Sequence, residues 1–281
     1  MGGTHSIEER LDQPYNLTGG QVAQFRSDGF IKLRDVLDRD TIAECGRDIR
    51  RVTVAHNTSA DEPMEERDTY HRAFIQVTNL WEKDERVRRL TFSRRLAGIA
   101  AALLEVGGVR LWHDQALFKE PGGGFTPWHV DQQYWPMLTD RSVTAWIPMQ
   151  AVDMDMGPMC FGRGSHRMEV ARDMEISDGS ELRIAEAVDA QGIEQVYEPF
   201  ELGEVSFHLG WTLHRAGPNT TGIPREVYTI IYMDRDQRLC EPRNENQRVD
   251  HQAFAPSTKV GEVFADEKNP ILFESENRDP R

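Results

Sequence analysis

The sequence predicts an α+β domain with helices first and many short strands after them, built on an antiparallel barrel or sandwich. Two textures carry this reading. Up to Leu104 the apolar residues recur at helical spacing between capping residues. After Gly108 they alternate, or run in short apolar stretches, between Gly, Pro and Asn turn signals. A third observation bounds the answer: the chain has 281 residues and no internal repeat or low-complexity tract, enough for one large domain or two small ones.

The elements follow in order. Thr18-Gly19-Gly20-Gln21 caps a helix that runs to Asp28, with Val22 and Phe25 on one face and Gly29 as its stop. Phe30 to Leu33 alternates as a strand. Asp38 opens a second helix to about Thr53, whose buried stripe is Ile42, Cys45 and Ile49. Residues 56–70 are polar and read as a loop. Asp84 to Leu104 is the longest helical pattern, with Val87, Leu90, Leu96, Ile99 and Leu103 inward and Gly107-Gly108 ending it. Strands are then expected over Val109 to Lys119, Val143 to Met149, Val205 to Leu209, Thr212 to Arg215 and Glu226 to Met233. Ala151 to Phe161 reads as strand and turn, 166–200 as a large charged loop with some helix, and 234–281 as a polar segment with apolar anchors such as Phe254, Val263 and Leu272.

Charge and composition exclude several classes. Acidic side chains number 47 and basic ones 33, for a net charge of −14. A nucleic-acid partner calls for a basic face, so none is expected. No apolar run reaches the roughly 18 residues of a membrane span, and Met1 to Ser6 lacks the apolar core of a signal peptide. Cys45, Cys160 and Cys240 form no CxxC pair, which suits free thiols in a cytoplasmic protein. The expected partner is a small-molecule substrate; oligomeric state, a homo-oligomer included, stays open.

The chemistry concentrates in Thr126-Pro127-Trp128-His129-Val130-Asp131-Gln132-Gln133-Tyr134-Trp135. On a strand, His129 and Asp131 point to one face and can reach one metal ion from one side. The flanking aromatics suit a partly apolar pocket. The third ligand is expected at His214, on a strand that enters the turn Gly217-Pro218-Asn219. If that turn closes a hairpin, its outgoing arm carries Arg225 beside His214. Two histidines and a carboxylate leave three metal positions open, which suits non-haem Fe(II) that must bind a chelating cosubstrate and O2 together. The arginine fork is the matching anchor for the far carboxylate of a dicarboxylic acid. His208, six residues before His214, is the alternative ligand; the turn and the arginine spacing favour His214. The arginines between Arg86 and Arg95 read as the solvated face of a helix, not as a phosphate or CoA patch.

This joint pattern resembles the phytanoyl-CoA dioxygenase family of Fe(II)/2-oxoglutarate oxygenases. The likeness runs from Gly29-Phe30-Ile31-Lys32-Leu33-Arg34-Asp35-Val36-Leu37-Asp38 through Leu117-Phe118-Lys119-Glu120-Pro121, His129-x-Asp131, Trp146-Ile147-Pro148, Gly164-Ser165-His166 and Gly203-Glu204 to the His214–Arg225 segment, and covers most of residues 18–235. It implies a double-stranded β-helix (jelly-roll, cupin-like) with N-terminal helices packed on it: a single domain over 1–281, with its core at 18–235 and a C-terminal extension from 236. It implies iron on His129, Asp131 and His214, and 2-oxoglutarate on Arg225, which stands eleven residues after the distal histidine. It also places Gln115 and Trp146 beside the cosubstrate, and His113, Gln132 and Trp135 beside the substrate. His166 is expected to be structural. Ala216 stands where some relatives carry a cosubstrate-binding serine, and the intact Asp131 points to hydroxylation, not halogenation. The rivals are a zinc-type metallohydrolase on the same ligands and a non-catalytic module that binds metal or 2-oxoglutarate.

Overall fold

Strand alternation divides the molecule into layers, and the space between two of them becomes the cavity. The structure, a computed structural model, describes residues 6–58, 62–67 and 72–275. The helices are α1 (Ile7–Asp12), α2 (Gly19–Asp28), α3 (Arg39–His56), α4 (Leu80–Lys83), α5 (Glu85–Thr91), α6 (Arg94–Leu104), α7 (Asp178–Ala190) and α8 (Glu245–Phe254). The strands are β1 (Phe30–Leu33), β2 (Ile75–Thr78), β3 (Gly108–Lys119), β4 (Thr126–His129), β5 (Ser142–Pro148), β6 (Met159–Gly162), β7 (Gln195–Tyr197), β8 (Val205–Leu209), β9 (His214–Ala216), β10 (Arg225–Asp234) and β11 (Ile271–Glu274). They form two antiparallel sheets. The major sheet runs β1-β8-β5-β10-β3-β11, with β2 also on β3, and the minor sheet runs β4-β9-β6-β7.

In the major sheet Val143, Ala145, Ile147, Val205, Phe207, Tyr228, Ile230 and Tyr232 face one way and pack on α2, α3, α5 and α6 in the principal core. The residues between them, such as Thr144, Trp146, His208 and Thr229, face the other way and line a cavity. A period of two is what a strand imposes. The minor sheet closes the far side of that cavity. Its outer face, Trp128, Val130 and Cys160, packs on Ile184 and Val188 of α7. The order of layers is therefore helices, major sheet, cavity, minor sheet, helix.

Local signals explain the helices. The Asp38 carboxylate accepts Thr41 N and starts α3, and Ile42, Cys45, Ile49 and Val52 form its buried stripe. Each buried aliphatic side chain there contributes roughly 1.5–3 kcal/mol, and Ile49 is fully inside. Gly29 ends α2 in the left-handed conformation at φ 84°. A Cβ at that position would lie 2.4 Å from His166 Nδ1, so only glycine fits.

Three expectations need correction, and two unassigned segments prove structured. The 84–104 pattern is two helices, because Ser93 caps α6 by accepting Leu96 N while Phe92 leaves helical geometry. His129 and Asp131 do not share a strand: β4 ends at His129 and Asp131 opens a 3-10 turn, Asp131–Tyr134. The segments carrying His214 and Arg225 are not arms of one hairpin, since β9 lies in the minor sheet and β10 in the major one. The polar C-terminal segment contains α8 and β11, and the N-terminus contains α1. Part of the 56–70 loop, Met1 to His5 and residues 276–281 fall outside the described residues.

Candidate active site

His129 and His214 face each other directly across the β4–β9 pair. Their rings lie 4.1 Å apart between centroids. Each is oriented by its own backbone two residues earlier: His129 Nδ1 meets Pro127 O at 2.8 Å and His214 Nδ1 meets Thr212 O at 2.9 Å. A carbonyl only accepts, so both Nδ1 atoms carry a proton and each ring is left to offer Nε2 to a ligand. Thr212 is itself fixed, because its hydroxyl donates to Gly29 O at 2.7 Å. Leu213 N donates to Ser165 Oγ at 2.9 Å, which makes Ser165 a support of the His214 strand.

The two oxygens of Asp131 have different duties. Oδ1 lies 3.4 Å from His214 Nε2 and 3.8 Å from His129 Nε2. Oδ2 accepts from Thr144 Oγ1 at 2.8 Å and from His208 Nε2 at 3.0 Å. One oxygen is thus held by the major sheet while the other converges with two imidazole nitrogens. Burial alone would raise the Asp131 carboxyl, but His214 and His208 beside it hold it well below the ordinary range. Burial and the neighbouring His214 push His129 down to about 3, so it presents a neutral ring. The ligating atoms of His129, Asp131 and His214 all lie within 4.8 Å of one another. Burial would lower His214, but the Asp131 carboxylate and the Thr212 carbonyl raise it, so its Nε2 gives up a proton when a metal binds. Two imidazole nitrogens and one carboxylate oxygen, grouped on one side and facing a cavity, fit a divalent iron with open positions. His208 stands outside this group and meets Asp131 at its other oxygen.

A second charged feature lies in the same cavity. Arg225 opens β10 in register with Lys119 of β3. Its Nη1 donates to Gly157 O and its guanidinium lies 5.4 Å over the Trp146 ring. Its Nε has no partner among the described residues. Burial pushes Arg225 down to about 10, and only the Tyr197 phenol opposes this. Burial, then Arg225, pushes Lys119 down to about 6; its Nζ donates to Gly124 O and, at 3.4 Å, to Thr126 Oγ1. A buried guanidinium without a counter-ion is costly unless a ligand supplies one. Gly157 needs its φ of 70°, and a Cβ there would come within 2.2 Å of Gly217 O.

The cavity measures about 280 Å³, and His113, Gln115, Trp135, Trp146, Arg225 and the triad all line it. Gln132 does not. Its amide is consumed by Thr139 O at 2.7 Å and Ser142 Oγ at 2.9 Å, because the 3-10 turn rotates it into the packing against β5. His166 also lies off the cavity, against Gly29. Thr144 is a lining residue that sequence reasoning assigned no place, and His208, read there as the alternative ligand, lines the cavity beside Asp131. For Thr144 the signal existed: it alternates with Trp146 on a strand already expected to line the site.

A donor set of this kind beside a buried arginine defines a class, the non-haem iron oxygenases that use a 2-oxo acid. The family model for phytanoyl-CoA dioxygenase (PhyH) matches residues 25–227. The chain belongs to that family and is an Fe(II)/2-oxoglutarate-dependent oxygenase. A curated relative, the probable alpha-ketoglutarate-dependent hypophosphite dioxygenase of Stutzerimonas stutzeri, is 22% identical over 228 residues, 77% of this chain and 78% of the relative. Among solved structures, the alpha-ketoglutarate-dependent epimerase SnoN of nogalamycin biosynthesis superposes with a TM-score of 0.73 at 24% identity, over 90% of this chain and 98% of its own. The carbocyclase SnoK of the same biosynthesis gives 0.72 at 24%, over 97% and 100%. EctD from S. alaskensis, solved with 2-oxoglutarate and 5-hydroxyectoine, gives 0.66 at 21%, over 82% of each chain. Among the described residues no helix is long and apolar enough to cross a membrane.

Proposed function

We propose that this protein hydroxylates a small organic molecule, consuming 2-oxoglutarate and O2 and releasing succinate and CO2. In this reading His129, Asp131 and His214 hold the iron, Arg225 binds the far carboxylate of 2-oxoglutarate, and Gln115 and Trp146 flank the cosubstrate. His113 and Trp135 face the substrate. The observation that carries the reading is the pairing, in one cavity, of a three-ligand face with a buried arginine that lacks a counter-ion. The bound iron and cosubstrate would supply the oxidising power. The chain's own part is position. The locked Nδ1 protons aim the imidazoles, the brace on Oδ2 leaves Asp131 one oxygen to give, and Lys119 shares the anion-binding end with Arg225. Trp135 and Trp146 keep water out of the space between.

The two-sheet arrangement around the cavity is read as a double-stranded β-helix, and the chain as one domain whose C-terminal segment packs on the core through Phe254 and Phe264. Cytoplasmic residence is supported by three cysteines without a disulfide. A zinc hydrolase on the same ligands would leave Arg225 nothing to bind. The test needs no substrate. Fe(II) and 2-oxoglutarate are added to apo protein without O2, and the weak visible charge-transfer band of a chelated complex is sought. The band is expected in the wild type and lost in His214→Ala; its absence at every cosubstrate concentration would reject the reading.

A further inference from the structure

One charged group in the cavity has no place in the iron chemistry. Asp250 lies on α8, one helical turn before Phe254, and both side chains line the cavity. The helix is tied to the turn that carries Asp131: Gln247 Nε2 donates to Gln133 O at 3.0 Å, and Asn244 caps the helix by accepting Gln247 N at 2.8 Å. Phe254 stacks on His113, with centroids 4.2 Å apart and an interplanar angle of 18°. Tyr134 and Trp135 line the same cavity; burial raises the Tyr134 phenol, and Asp250 is near enough to add to that rise. Asp250 therefore sits at a rigid wall, among aromatic rings.

The charges lining the cavity can be matched one by one. Arg215 is taken by Glu181, at 3.4 Å. Asp131 and the two carboxylates of 2-oxoglutarate face the iron, Arg225 and Lys119. His113 is no cation, because burial pushes it down to about 4. Among the described residues Asp250 has no such partner: burial raises it to about 7, and no hydrogen bond or charge opposes this. A carboxylate in that position gains from a ligand that brings a positive charge, and aromatic faces favour the same ligand.

We propose that Asp250 is a specificity-determining residue, and that the primary substrate carries a protonated or quaternary amine seated between the Asp250 carboxylate and the wall of Phe254, Trp135 and Tyr134. The inference rests on the oxygenase reading above and names the substrate class of that same site. Asp250 acts by recognition; the carbon to be oxidised lies elsewhere on the substrate, toward the iron.

The experiment uses charge-for-neutral pairs as probes: benzylamine against benzyl alcohol, and choline against 3,3-dimethylbutan-1-ol. Binding to the anaerobic Fe(II)·2-oxoglutarate complex is measured by calorimetry, and the visible band is recorded in the same samples. In the wild type the cationic member of each pair is expected to bind at least about tenfold more tightly. Asp250→Asn should abolish that preference with the band unchanged, and Asp250→Glu should retain it. A band with no cation preference, a preference for the alcohols, or a preference that survives in Asp250→Asn overturns the inference and leaves the oxygenase reading standing. Absence of the band in the wild type fails the oxygenase reading itself, and this inference with it.

Discussion

Replacing Arg225 separates the cost of a buried charge from its use. The guanidinium is 2% exposed and is pushed by burial from 12.5 to about 10. At about 1.4 kcal/mol per pH unit, that is a penalty on the order of 3 kcal/mol. A ligand carboxylate that pairs with it recovers an energy of this size. Arg225→Met should therefore raise the dissociation constant of 2-oxoglutarate about a hundredfold, at about 1.4 kcal/mol per factor of ten. Arg225→Lys, which keeps the charge and loses the fork, should cost about 1–3 kcal/mol of binding. Stability of the apo protein should behave differently. The methionine variant leaves Gly157 O unpaired, at about 1–3 kcal/mol, and removes the unmatched charge, so the effects offset and Tm should move by no more than about 4 °C. The assay is a 2-oxoglutarate titration of the anaerobic iron complex, read on the visible band, beside a thermal melt without ligand. A dissociation constant within twofold of wild type in both variants would refute the anchor. A methionine variant that melts far below wild type would show instead that Arg225 serves the fold.

Three further predictions follow from neighbouring groups. His208→Asn and Thr144→Val each remove one hydrogen bond to Asp131 Oδ2 and should weaken Fe(II) about 10–100-fold; chelator competition measures this, and wild-type affinity in both would mean that Asp131 needs no brace. Lys119 stands at about 6 in the folded protein against 10.5 as its ordinary value, so between these limits the unfolded chain holds the extra proton and apo stability rises with pH. Cosubstrate binding should take up a proton there, and 2-oxoglutarate affinity should fall as pH rises above about 6. Calorimetry in buffers of different ionisation enthalpy reads the uptake, and Lys119→Met should abolish it. Asp114 accepts from Leu80 N at 2.7 Å, Trp81 N at 3.1 Å and Thr91 Oγ1 at 2.8 Å; Asp114→Ala leaves these donors unpaired and should cost about 3–5 kcal/mol in urea unfolding.

The site was more legible than the chain path that builds it. The convergence of His129, Asp131, His214 and Arg225 on one cavity could be read because ligand type and spacing carry chemistry whatever the strands do. The routes assumed for them were wrong in two places. Gly217-Pro218-Asn219 has the composition of a hairpin turn, yet the chain uses it to cross from one sheet to the other. Composition reports that a chain turns, and does not report which sheet receives it. His113, Gln115 and Leu117 share the cavity face of β3, because it is a long strand and its pleat leaves no choice. Gln132 failed for the converse reason: a 3-10 turn has no such alternation, and its amide found Thr139 and Ser142 first. At the ends, Ser6 and Glu9 form a capping box that announces α1, a local signal that sequence reading passed over. For α8 the pattern is weak, since only Gln247 and Phe254 of its residues are buried.

The metal face also depends on the distance between the sheets, through Asp131. His129 and His214 belong to one antiparallel pair and keep their spacing by register alone. Asp131 leaves that pair in a turn, and its second oxygen is gripped by Thr144 of β5 and His208 of β8, across the cavity. Beside this grip Phe161 of β6 stacks on Phe30 of β1 at 4.5 Å and lies 5.4 Å from the His208 ring. Phe161→Leu keeps an apolar side chain but removes the flat face that spaces the sheets and steadies His208. It should cost about 1–2 kcal/mol of fold stability, and it should also speed iron loss severalfold. A structural role alone would lower the melting temperature and leave the iron dissociation rate as it was. Measuring both in one variant decides whether the spacing of the sheets sets the geometry of the metal.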